Sequence, residues 1–198
     1  MRAFSHQKSF VFHNKAEGLA SVVRSCVEYI EEQNEFLGVP AVFHSKIKWA
    51  ITELLINGAK HSGSEKSRLN LKFTENDLTI EKVDSGNPLA LKVNDGSQKL
   101  QWPLPETFIN QHFEVYRNGM DSLRVFTENE KSAFFIVEEM EDEEMPLLLI
   151  NTSEHFGLMI IAKASDSFTY MYENKSRKNI FSIRFDYKVC PPTSDKKN

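Results

Sequence analysis

The run Glu53-Leu-Leu-Ile-Asn57-Gly-Ala-Lys60-His61 brings a carboxylate, an amide, an ammonium and an imidazole together at near-helical spacing. At 100° per residue these four side chains fall within about a third of a helix circumference. Ile47, Ile51, Leu54 and Gly58 gather on a separate arc, so one face can be buried while the polar edge looks into a cleft. A carboxylate one turn from an amide suits octahedral Mg²⁺, which takes oxygen ligands and keeps several waters. Asn57 would supply a neutral carbonyl oxygen to the metal. Glu53 would orient or deprotonate a water or a hydroxyl, and Lys60 would meet phosphate as a point charge. His61 also suits a helix C-terminus on dipole grounds. The plainer alternative is an amphipathic helix with Glu, Asn, Lys and His on its outward face.

A second run, Asp84-Ser-Gly86-Asn-Pro88, ends a predicted strand. Alternation from Leu78 and Ile80 places Asp84 on their face, the one helices would cover. A buried carboxylate needs donors, and the exocyclic amine of adenine is one. Gly86 carries no Cβ to hold a flat ring away from the backbone. The competing reading is an ordinary surface turn, since every residue of the run is a turn former.

The elements that must position these groups are legible from pattern. Lys8–His13 reads as a strand. Asn14 then caps a helix, with Glu17 completing a capping box. Leu19, Val22, Val23, Cys26, Val27 and Ile30 form its apolar stripe, which makes Cys26 a core residue. Gly38 and Pro40 break the chain before the Glu53 helix, which ends near His61. Arg68–Thr74 and Asp77–Asp84 alternate as a hairpin. So do the segments around Phe168–Tyr172 and Phe181–Tyr187, after a short helix opening at Gly157. Between them, Glu106–Tyr116 reads as a helix, and Leu123–Thr127 with Ala133–Val137 as an extra hairpin. The acids from Glu138 to Glu144 read as a solvated face or loop.

Composition limits the function classes. The chain has 198 residues, 40% of them hydrophobic with fifteen Phe, enough for one domain with a sizeable core. A net charge of −4 leaves no basic surplus for a nucleic-acid backbone. Apolar runs such as Pro146–Ile150 are far below the roughly 20 residues of a membrane span. Two cysteines and a polar N-terminus point to the reducing cytoplasm.

Taken together, Glu53-x-x-x-Asn57-x-x-Lys60-His61 and Asp84-x-Gly86-x-Pro88 resemble the N box and first glycine box of the GHKL ATPases, whose domains are histidine-kinase-like. His155-Phe156-Gly157-Leu158 resembles the second glycine box in part, and the order of elements is most similar to the anti-sigma-factor serine kinase branch. The resemblance covers residues 8–88 and 155–187. It implies the Bergerat fold, a two-layer α/β sandwich with a mixed sheet, helices on one face and ATP beneath a lid. It also implies one domain over residues 1–190, with a tail over 191–198; the segment over 89–153 departs from the pattern by being much longer than a simple lid, and an insertion there suits a partner-binding or self-covering element. By family role Glu53 is the general base, Asn57 the Mg²⁺ ligand and Asp84 the adenine contact. Gly86 admits the ring, while Gly157 and Leu158 open a helix whose backbone donors meet phosphate. Two further departures stand out. Glu154, His155 and Phe156 occupy places where glycines are usual, and Lys82 stands where an apolar residue is usual, facing the pocket unless a bulge turns it away. The functions that follow are a Mg-ATP-dependent ATPase or protein serine kinase, a catalytically degenerate module that uses nucleotide to gate protein binding, or a structural domain that keeps the fold without nucleotide. Nothing in the sequence sets an oligomeric state.

Overall fold

Alternating apolar residues turn ten segments among the described residues into antiparallel strands. The computed structural model describes residues 6–94, 96, 98–140 and 155–187. In chain order the elements are β1 (His6–His13), α1 (Ala16–Glu32), a one-turn helix α2 (Asn34–Leu37), α3 (Ala41–His61), β2 (Lys66–Phe73) and β3 (Asp77–Asp84). A small ribbon of β4 (Ala90–Lys92) and β5 (Lys99–Gln101) follows, then β6 (Gln111–Asn118), β7 (Asp121–Thr127) and β8 (Ser132–Glu139). The last described elements are α4 (Phe156–Ala164), β9 (Ser167–Glu173) and β10 (Lys178–Asp186). Eight strands form one sheet in the order β1-β2-β3-β10-β9-β8-β7-β6. Every neighbouring pair in it is antiparallel.

This architecture corrects the expected mixed-sheet, two-layer α/β sandwich with a lid insertion. The sheet is antiparallel throughout and, among the described residues, only three helices exceed one turn. The region between the glycine-bearing runs supplies β6, β7 and β8 to that same sheet. The physical reason is a continuous apolar face. Phe113, Val115, Leu123, Val125, Ala133 and Phe135 are all buried. A hairpin with one apolar face is marginal by itself, and it gains by extending an existing sheet. The seam is set by Phe135 opposite Phe168, whose rings stack with centroids 4.3 Å apart. The helix expected over Glu106–Tyr116 is a single 3-10 turn, Glu106–Phe108, followed by β6. The Phe113/Val115 alternation, buried on one face of β6, decides against a longer helix there.

The expected start of α1 is also corrected. Lys15 is the N-cap, with no side-chain cap, and Glu17 and Gly18 depart from helical backbone angles. Instead of capping, the Asn14 amide donates to Ser62 Oγ (3.1 Å) and to the Ser64 carbonyl (2.8 Å), and accepts from Ser67 Oγ (2.9 Å). It therefore ties the end of β1 to the end of α3 and to β2, fixing where α3 stops.

The two hairpins β2–β3 and β9–β10 form where alternation places them, and Cys26 is fully buried in α1. Along α3, Ile47, Ala50, Ile51, Leu54, Leu55 and Gly58 face inward. Burying a large apolar side chain of this kind stabilises by about 1.5–3 kcal/mol, so this face outweighs the other contributions to where α3 lies. Phe43 meets Phe185 of β10 edge-on and Tyr187, just beyond it, tilted, with centroids 6.1 Å away in each case. The acids Glu138 and Glu139 belong to β8, and Glu138 pairs with Arg124 at 3.1 Å. The rest of that acidic run and the tail over 191–198 lie outside the described residues.

Candidate functional site

The C-terminal half of α3, the ends of β3 and β10, the β4–β5 ribbon and the start of α4 enclose a cavity of ≈ 450 Å³. Its polar wall includes Asn57, His61, Lys82, Asp84, Gln101 and Asn179, and its apolar wall includes Leu54, Leu89, Leu91, Leu158 and Phe181. The volume falls within the roughly 300–1,000 Å³ of ordinary ligand pockets, and the mixed lining is of the usual kind.

Strand register builds the floor. β3 is regular from Asp77 to Asp84, so Leu78, Ile80, Lys82 and Asp84 share one buried face. No bulge turns Lys82 away. β10 places Phe181 opposite Lys82 and Asn179 opposite Asp84. The Asp84 carboxylate accepts from the Gly86 N–H and from Asn179 Nδ2, each at 2.9 Å, and from the Lys82 ammonium. Asn179 Nδ2 also reaches the carbonyls of Gly86 (3.2 Å) and Asn87 (3.1 Å), while its oxygen accepts from the Tyr170 hydroxyl (2.8 Å). Burial, countered in part by the Leu89 N–H, pushes the Tyr170 phenol well above its ordinary value of 10.0, so it stays a neutral donor. The Lys82 ammonium lies 5.6 Å from the centre of the Phe181 ring. Both partners of the Lys82–Asp84 pair have side chains only 1% exposed. The lysine stem fits there because position 58 is glycine: a Cβ at Gly58 would overlap the Lys82 Cε.

The turn after β3 presses on the end of α3. A methyl group at Gly86 would sit inside the Ser62 carbonyl, and the Asn87 N–H donates to that same carbonyl. Glycine is thus required at 86 for backbone packing, a reason the sequence does not reveal.

Glu53 and Asn57 meet α4 rather than the floor. A Cβ on Gly157 would lie 2.5 Å from Glu53 Oε2 and 3.4 Å from both polar atoms of the Asn57 amide. The Asn57 Nδ2 is buried with no hydrogen-bond partner. An orphaned buried amide is costly, and rotation about its last bond can present oxygen in place of nitrogen. At the α4 N-terminus the Leu158 N–H is already directed to the His155 carbonyl at 3.1 Å.

Of the residues expected to form a site, Asn57, His61, Asp84 and Leu158 line the cavity. Glu53 and Gly157 sit together beside Asn57, off the cavity wall. Lys60 is exposed and lies away from it, and Gly86 belongs to the turn that closes one end. Asn179, Tyr170 and Phe181 were not foreseen. Their part depends on which residues β10 places opposite Lys82 and Asp84, and no local pattern encodes that register. Among the described residues there is no group of three or more His, Cys, Asp or Glu suited to a metal, so a cation here would need oxygen from a ligand as well as from Asn57. No described helix is long and apolar enough to cross a membrane.

A comparison with models of known protein families finds no match, and none of the curated proteins is significantly similar to the chain.

Proposed function

We propose that the cavity binds a purine nucleoside triphosphate, ATP, together with Mg²⁺. The observation that carries this reading is that Asn57 and Asp84 border one ≈ 450 Å³ space, with neither turned to bulk solvent. The base would lie toward Asp84, and the phosphates toward Asn57 and the start of α4. The unpartnered Asn57 amide supports a metal position, because an oxygen presented there satisfies a hard cation that phosphate oxygens also hold. Such an ion supplies charge neutralisation to the phosphates; this chain's own residues hold and orient them. Glu53, beside Asn57, is the group placed to take a proton from a water or from a serine hydroxyl, which makes the enzymatic version an ATPase or a protein serine kinase of the GHKL, anti-sigma type. We place the protein in the cytoplasm, with a regulatory protein as its partner.

One observation favours a second reading, a nucleotide-gated protein-binding module without turnover. Asp84 is already engaged by Lys82, Gly86 and Asn179, and His155 and Phe156 stand where a glycine cradle would wrap phosphate.

Calorimetric titration of the full chain with ATP, ADP and GTP, with and without Mg²⁺, tests the proposal. Saturable ATP binding that tightens with Mg²⁺ is expected, and ligand at 100 times its dissociation constant should raise stability by about 2.7 kcal/mol. Absence of both heat and thermal shift removes nucleotide binding from the account. Binding without phosphate release or protein phosphorylation selects the module.

A further inference from the structure

We infer that Lys82 reads the base: its ammonium donates to ring nitrogen N1 of a bound adenine while Asp84 accepts from the neighbouring 6-amino group. The inference rests on the nucleotide reading above and specifies the contact that gives it base selectivity.

The argument is an inventory of donors and acceptors at one corner of the cavity. Oδ1 of Asp84 is taken by the Gly86 N–H and Asn179 Nδ2, and Oδ2 receives the Lys82 ammonium. A carboxylate oxygen accepts twice, so Oδ2 has capacity for one more hydrogen bond. An ammonium has three hydrogens, and among the described residues Asp84 is the only acceptor Lys82 meets. The Phe181 ring 5.6 Å away attracts the charge but accepts no ordinary hydrogen bond. The corner therefore offers a ligand one acceptor and a charged donor side by side, on two residues that both border the cavity. The Watson–Crick edge of adenine carries the matching pair, an amino donor next to the N1 acceptor. In the pose that sets N1 on the ammonium and the 6-substituent on the carboxylate, a 6-oxopurine carries the reverse order, N1–H against the ammonium and O6 against Asp84.

The lysine is also held in place. Gly58 gives its stem a channel against α3, and the Asp84 and Phe181 contacts fix its end. A pair kept only for packing is weakly motivated, because apolar residues of similar volume stabilise a buried site as well or better. An ammonium with unused hydrogens at a cavity wall gains its full complement when an acceptor arrives.

The test edits the ligand first and the protein second. With Mg²⁺ present, the wild-type chain is titrated with ATP, with 1-deaza-ATP (N1 replaced by C–H, the 6-amino group kept) and with ITP. Both analogues are expected to bind at least tenfold more weakly than ATP, the loss of one charge-assisted hydrogen bond. Lys82→Met should bind ATP about tenfold more weakly and no longer distinguish it from 1-deaza-ATP. If the wild type binds ATP and 1-deaza-ATP equally, or ITP as tightly as ATP, Lys82 does not read the base although the site holds nucleotide. If ATP itself does not bind, the nucleotide reading falls and takes this inference with it. The wild-type comparison alone decides should the Met variant not fold.

Discussion

Glu53 illustrates how a side chain can belong to a site without lining its cavity. Its carboxylate lies over Gly157, next to the Asn57 amide, where it would meet a water or hydroxyl held near the phosphates of the proposed nucleotide. If Glu53 acts as a base, Glu53→Ala should leave the dissociation constant for ATP within about threefold and abolish phosphate release or phosphoryl transfer. Turnover that survives this change removes the general-base role. Cys26 is the counter-example of a reactive residue type with no reactive setting. Burial pushes its thiol from 9.0 to about 12, so it serves as a small apolar filler in α1. Gly86 and Gly58 act by what they lack, one admitting the Ser62 carbonyl and the other the lysine stem.

Among the elements, β8 carries the largest consequence, because it joins β6 and β7 to the strands that hold the site. Its pairing with β9 runs from Ser132 opposite Met171 to Phe135 opposite Phe168. Phe135→Ala removes the stacked ring and leaves a cavity at that seam, which should cost about 3–5 kcal/mol. Because the sheet is continuous, urea unfolding of the variant followed by near-ultraviolet and far-ultraviolet circular dichroism should give coincident transitions at a lower midpoint. Two separated transitions would mean that the β6–β8 unit folds apart from the rest. α3 has the opposite character: its core face is encoded locally, and Asn14, held by Ser67 of β2, then fixes its end through a hydrogen bond to the C-cap Ser62.

For the whole molecule, acid stability has a named contributor off the cavity wall. Burial raises the pKa of Glu114, but hydrogen bonds from Arg117, Ser122 and Asn94, with the Arg117 charge, outweigh it and hold the carboxyl below its ordinary 4.5. A group whose folded pKa is depressed stabilises above its unfolded value and loses that contribution as pH falls through the folded one. Urea midpoints of wild type and Glu114→Gln should therefore differ most near neutral pH and converge as pH drops below 4.5. A gap that is constant with pH would assign the effect to packing alone.

Short-range pattern determined a good deal here. The spacing from Ile47 to His61 fixed α3 and its two faces, because helical periodicity is a property of adjacent residues. Alternation fixed the β2–β3 and β9–β10 hairpins, and placed Lys82 on the same face as Asp84. Tertiary structure decided the rest. Whether Phe113 to Phe135 form a separate lid or extend the sheet depends on which edge is available to receive them. That Asp84 meets Asn179 and Lys82 meets Phe181 depends on the register between strands nearly a hundred residues apart in sequence. Contacts across such separations are selected by the packing of the whole core, so the chemistry of the cavity floor emerges only once the sheet has closed around it.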